Sequence, residues 1–249
     1  MDPLVRAVMI TGKPGREYLA RIAVNAFLEQ RYPNKQLFIL NDGKRLLEDP
    51  PPHVIEYAAP PGLSLGALRN MAMQMTPVKV DYLMQWDDDD YSHPMRMQWQ
   101  VDRTPRGTAS VLRFETHIKI GGTDPRVCVP TRKPGYGFAG TLMHPAETPF
   151  RYPETAKGED SEFVRQWRKS DQLVVLQNED YPALYTRLAH HVNTWSTQHI
   201  MSFPRGNVPL SNAERCRVVK LAHRYALAFA ESCNRAPAES SCSAPADKQ

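Results

Sequence analysis

The chain has 249 residues, which at about 150 residues per domain allows one large domain or two small ones. Hydrophobic residues make up 41% and charged residues 23%, a balance that sustains a packed core and excludes wholesale disorder. Lys plus Arg is 31 against 27 for Asp plus Glu; a net charge of +4 with no Lys/Arg-dense block does not announce a nucleic-acid partner.

Residues 5–10 (Val-Arg-Ala-Val-Met-Ile) read as a strand and 11–15 (Thr-Gly-Lys-Pro-Gly) as a loop. Leu19, Ile22, Ala23, Ala26 and Phe27 recur at helical spacing, so a helix follows, ended by Tyr32-Pro33-Asn34. Residues 37–40 form a second apolar strand, closed by the turn signal Asn41-Asp42-Gly43, and 54–57 a third. Ser64 caps a helix running to about Met75, where Thr76-Pro77 stops it. Residues 80–86 form a strand that runs straight into Asp87-Asp88-Asp89-Asp90, and Ser92-His93-Pro94 reads as a helix start. Such alternation predicts a mainly parallel sheet flanked by helices, and ligands of these sheets bind beyond the carboxyl ends of the strands. Thr11, Asp42 and the aspartate run fall at three such ends.

Further on, 110–120 and 126–130 read as strands separated by Gly121-Gly122, and 136–143 as another. A helix is expected over 159–169, strands over 172–177 and 183–187, and a last helix over about 212–234. That helix carries Arg215, Arg217, Lys220 and Arg224 beside Val218, Leu221, Ala222 and Tyr225, which predicts core packing under a solvated basic face. Contact with an anionic membrane or a nucleic acid is the lesser alternative. From Ala236 the chain is Ala, Pro, Ser and charge, and disorder is expected. No apolar run of about 18 residues is present, so no transmembrane segment is expected. Residues 1–6 lack the pattern of a secretory leader. Cys128, Cys216, Cys233 and Cys242 form no C-x-x-C pair, so neither a zinc site nor a disulfide framework is indicated, and a reducing cytoplasm is the expected setting.

Four consecutive aspartates raise one another's pKa unless a cation sits among them. The run is either a solvated acidic turn or a site for Mg²⁺ or Mn²⁺, which take one or two carboxylates plus substrate phosphates. Gly158-Glu159-Asp160 opens a helix, where carboxylates serve either as caps or, when well oriented, as a general base. His190-His191 is either structural or an added metal ligand. Gly12-Lys13-Pro14-Gly15 lacks the glycine and hydroxyl of a P-loop, no G-x-G-x-x-G follows the first strand, and no G-x-S-x-G elbow occurs.

Taken together these segments resemble the family 2 type glycosyltransferases of GT-A fold. The resemblance runs from about Val5 to Trp195 and rests on the first strand, on Ala-Phe-Leu-Glu-Gln-Arg-Tyr-Pro at 26–33, and on Phe-Ile-Leu-Asn-Asp-Gly at 38–43. It continues with Gly66 to Asn70, the block 81–90 and the Gly-Glu-Asp at 158–160, in the family's order. What it implies is an α/β catalytic domain over 1–205, followed by a helical arm over 206–235 and a loose tail over 236–249. The implied activity is metal-dependent, inverting transfer of one sugar from a nucleotide-sugar donor, with UDP the expected nucleotide. By the resemblance, Thr11 and Asp42 hold the base and ribose, Arg69 lies near the diphosphate, and Asp88 contacts the donor. Asp87 and Asp89 are the D-x-D acids and Asp90 the acid after them, holding Mn²⁺ or Mg²⁺. Asp160 is the base with Glu159 beside it, and His191 is a further metal or diphosphate contact.

There are departures: Asn41 stands where many relatives have an acid, Thr11-Gly12-Lys13 replaces an aromatic-Asn pair, and the processive tryptophan motif is absent. A single-addition enzyme is therefore expected, its acceptor a saccharide, a protein or a modified nucleic-acid base. The alternatives are a sugar-phosphate nucleotidylyltransferase, whose glycine-rich signature residues 11–16 match poorly, and a non-catalytic nucleotide-sugar or nucleic-acid binding module.

Overall fold

The computed structural model describes residues 2–130 and 136–234; the tail expected over 236–249 lies outside them. In chain order the elements are β1 (Val5–Thr11), α1 (Glu17–Leu28), β2 (Lys35–Asn41), β3 (Val54–Ala58), α2 (Leu65–Gln74), β4 (Tyr82–Gln85), β5 (Tyr91–Ser92) and α3 (Arg96–Arg103). Then come β6 (Ala109–Leu112), β7 (Glu115–Lys119), β8 (Arg126–Cys128), β9 (Met143–Pro145), α4 (Glu159–Lys169), β10 (Leu173–Leu176), β11 (Tyr185–Ala189), α5 (Thr197–Met201) and α6 (Asn212–Asn234).

A parallel strand covered on both faces is largely apolar, because alternate side chains enter different cores. Strand β1 does this: Val5, Ala7 and Met9 pack with Ala23 and Phe27 of α1, while Val8 packs with Leu68 and Ala72 of α2. It pairs in parallel with β2 and β4, and β2 with β3. Beyond β4 the sheet continues through antiparallel β9 to β6 and β10, giving the seven-stranded order β10-β6-β9-β4-β1-β2-β3. A four-stranded sheet, β5-β11-β7-β8, stands beside it. The result is a mainly parallel, helix-flanked α/β architecture, with α6 as the last helix described. Val218, Ala222 and Tyr225 of α6 pack with Leu19, Ile118 and Leu188, and its four basic residues face solvent. Among the described residues no helix is long and apolar enough to cross a membrane.

Ser64 caps α2 as expected, its hydroxyl accepting the Ala67 N–H at 3.2 Å. Other elements differ from expectation. The run 110–120 breaks at Arg113-Phe114 into β6 and β7, which lie in different sheets. The crossing keeps its donors satisfied: Arg113 N–H reaches Leu176 O and Phe114 N–H reaches Asn178 Oδ1, both at 2.9 Å. The run 136–143 is a loop and a 3₁₀ turn (Ala139–Thr141) leading into β9. Gly140 accounts for this, since a Cβ there would lie 2.9 Å from Arg187 Nη2 and 3.0 Å from Asp87 Oδ2. The helix expected from Ser92 begins at Arg96, with Ser92 in β5, and α5 has no counterpart among the expected elements.

Candidate active site

The site lies where β1 and β4 end. Trp86, the first residue past β4, is buried; its Nε1–H donates to Ala23 O at 3.0 Å, and its ring meets Phe27 edge-on at 5.8 Å. This anchor fixes where the four aspartates emerge. They are not a solvated turn: Asp88, Asp89 and Asp90 are buried, and Asp87 is half-buried.

Each acid has its own partners. Asp87 Oδ1 accepts from Gln85 Nε2 at 3.1 Å and from Arg69 Nη2 at 3.4 Å. Asp88 accepts from the Thr11 hydroxyl at 2.8 Å and pairs with Arg16, which also pairs with Asp89. Asp89 accepts from Asn193 Nδ2 at 3.0 Å and lies 3.4 Å from His190 Nε2. Asp90 accepts the Leu188 N–H at 3.0 Å and lies 3.6 Å from Arg187 Nε. The Tyr185 hydroxyl sits between Asp87 at 2.8 Å and Asp90 at 2.7 Å. The hydroxyl therefore links the first and last acids of the run.

Burial and neighbouring charges act differently on the three buried acids. Burial first, then repulsion from Asp89, pushes the Asp90 carboxyl up to about 8. Burial pushes Asp88 up to about 7, against the pull of Arg16. For Asp89 burial is the largest single influence and acts upward, but Arg16, His190 and Arg187 together outweigh it, and its carboxyl is held below the usual carboxylate range.

Across the cleft Gly158, at φ +75 in the left-handed region, turns the chain into α4. Glu159 is buried and committed to Arg69 Nε at 3.2 Å; burial is the larger influence and raises its pKa. The Arg69 guanidinium thus ties α4 to the aspartate run, 5.7 Å from the Tyr152 ring centroid. Asp160 is half-buried and lines the same cleft, with Oδ1 accepting the Ser161 N–H at 2.6 Å.

The structure therefore gathers Arg69, Asp87, Asp88, Asp89, Asp90, Glu159 and Asp160 around one cleft. Thr11 stands behind them, its hydroxyl turned to Asp88, and Asp42 N–H donates to Thr11 O at 3.1 Å on the neighbouring strand end. His191, the expected metal or diphosphate contact, is exposed in the turn after β11, while its neighbour His190 is buried and lies 3.4 Å from Asp89. Arg16, Tyr185, Arg187 and Asn193 were not foreseen. One signal existed for Arg16: a cation at a helix N-terminus opposes the helix dipole and needs a reason.

The carboxylate oxygens here are hard donors of the kind a divalent cation takes, and Asp87 keeps 19% of its side chain exposed. Among the described residues no three His, Cys, Asp or Glu side chains form a cage. An ion here would take one or two carboxylates and complete its shell from phosphate and water oxygens.

No protein-family profile matches the chain, and neither does any curated protein. Solved structures of S. aureus TarS share the fold. TarS 1–349 in complex with UDP-GlcNAc superposes with a TM-score of 0.55 at 12% identity, over 86% of this chain and 70% of that one. The complex with UDP gives 0.54 at 12% identity, over 86% and 69%. A longer TarS structure gives 0.54 at 14%, with 74% of this chain and 36% of that chain covered.

Proposed function

We propose that the chain is an inverting glycosyltransferase that moves one sugar from a UDP-sugar to an acceptor hydroxyl. The observation that carries this reading is the Arg69 bridge, which holds the Asp87 end of the aspartate run and the Glu159-Asp160 helix start against one cleft. The shared fold of TarS, whose structures hold UDP-GlcNAc or UDP, supports the choice of donor.

In this reading Asp160 accepts the acceptor hydroxyl's proton as that oxygen bonds to the anomeric carbon. The carbon's bond to the diphosphate oxygen breaks, its electron pair leaving with the nucleoside diphosphate, and a single displacement inverts the centre. Arg69 and Arg187 face the cleft as fixed positive charges for the diphosphate. A Mg²⁺ or Mn²⁺ held by Asp87 and Asp89 would add stabilisation of the charge that develops on the leaving group.

Donor binding by calorimetry and UDP-sugar turnover, each with and without Mn²⁺, test the reading. Asp160→Asn should leave UDP binding intact and cut turnover by about 10²–10⁴-fold. Asp89→Asn should weaken UDP binding in Mn²⁺. Wild-type turnover in both variants would overturn the assignment.

A further inference from the structure

A second pocket opens beside the donor cleft, between α4, the loop at 136–140 and α5. The two share Gly158, Asp160, Arg187 and Trp195, so Asp160 stands at their common edge. A base must stand there if donor and acceptor enter from opposite sides.

The lining of this pocket is unlike that of the first. Trp86, Trp99 and Trp167 are buried, but Trp195 is 41% exposed. His199 stacks on its indole at 4.6 Å and 25°, and Lys157 Nζ lies 5.4 Å from its ring centroid, so the ring is held as a fixed wall. Helix α4 presents Asp160, Val164 and Arg168 at successive steps of four on the pocket face, with Arg165 beside them. Arg168 lies 4.4 Å over the Tyr136 ring, a stacked contact that orients its guanidinium without using its charge on a carboxylate. Arg165 is exposed at the rim, bonded to Glu162 at 2.7 Å. An aromatic wall suits the C–H face of a sugar ring, and an oriented guanidinium suits phosphate or carboxylate oxygens.

We propose that this pocket is the acceptor subsite, and that the acceptor is a sugar bearing an anionic group, phosphate or carboxylate. Its ring packs against the Trp195–His199 stack, its anion meets Arg168 with Arg165 at the rim, and its nucleophilic hydroxyl reaches Asp160. The inference rests on the transferase reading and adds to it the chemical class of the second substrate.

The test is calorimetry and tryptophan fluorescence on the full chain saturated with UDP, titrated with glucose 6-phosphate, glucuronate and methyl glucoside. At least one charged sugar should bind saturably, and methyl glucoside at least about tenfold more weakly. The better of the two charged sugars identifies the anion. Arg168→Gln should weaken charged-sugar binding about tenfold without changing methyl glucoside or UDP binding, and Arg168→Lys should restore part of it. Arg165→Gln, at an exposed position, checks the rim independently of folding. Equal binding of charged and neutral sugars, or wild-type affinity in both arginine variants, overturns the proposal. If UDP binds and no sugar follows, the acceptor assignment alone falls. If UDP itself fails to bind, the transferase reading falls and takes the assignment with it.

Discussion

The N-terminus of a helix carries partial positive charge, so an arginine there costs energy unless something larger offsets it. Arg16, at the N-cap of α1, is offset by Asp88 and Asp89, both buried. Breaking a buried ion pair by removing one partner costs about 3–5 kcal/mol, because the remaining charge is uncompensated. Arg16→Gln should therefore lower the urea midpoint by several kcal/mol equivalent at pH 7. Asp88→Asn in the same chain should recover part of the loss. An unchanged midpoint in the single variant would show that water already screens these acids. The aspartates were legible as a cluster because they are contiguous. Their partners were not, since Thr11, Arg16, Tyr185 and Asn193 reach them from 72 to 104 residues away. His190 and His191 are chemically alike in the sequence, and it is the turn after β11 that brings His190 to 3.4 Å from Asp89.

Between single residues and the whole lie the elements, and β9 shows how one is held. It is antiparallel to both β4 and β6, and its His144 packs against Phe163 at 5.1 Å and Trp167 at 5.8 Å, both from α4. Burial pushes the His144 imidazole down to about 4 from an ordinary 6.5, a difference of about 3 kcal/mol. A depressed histidine favours the folded state while neutral. Its contribution is thus whole above pH 6.5 and is lost as pH falls from there towards 4. His93, also brought down to about 4 by burial and by Arg217, acts in the same window. Unfolding free energy should therefore drop between pH 6.5 and 4, and His144→Leu should flatten part of that slope; an identical slope in the variant would assign it elsewhere. Helices α2 and α4 were well read because their ends carry local signals: Ser64 before α2 and Gly158 before α4. Strands 110–120 and 136–143 were misread because what shapes them is not local. One crosses between sheets, and the other is set by the approach of Gly140 to Arg187 and Asp87.

At the scale of the molecule the small net charge of +4 conceals a segregation. Acids concentrate in the cleft at the strand ends, while Arg215, Arg217, Lys220 and Arg224 stand on the solvent face of α6. The alternation of strands and helices made the parallel sheet and its binding edge readable. The second sheet was not, because two-residue β5 carries no periodic signal and β7 is continuous in pattern with β6 of the first sheet. The cleft draws Asp87 from beyond the end of β4, Arg69 from α2 on the first sheet, and Arg187 and Asn193 from β11 and the turn after it. A ligand seated there spans both sheets and stabilises them together. At a hundred times its Kd such a ligand adds about 2.7 kcal/mol, which for a chain of this size raises Tm by roughly 5–10 °C. The proposed contacts are to a diphosphate, so UDP with Mn²⁺ should produce this rise and UMP, which lacks the second phosphate, a much smaller one. Arg69→Lys should shrink the UDP shift and leave the UMP shift alone, since a lysine cannot hold Glu159 and Asp87 in the same fork. Equal shifts for UDP and UMP would mean that the nucleoside alone is read, and that the acids and arginines of the cleft serve the fold and not the donor.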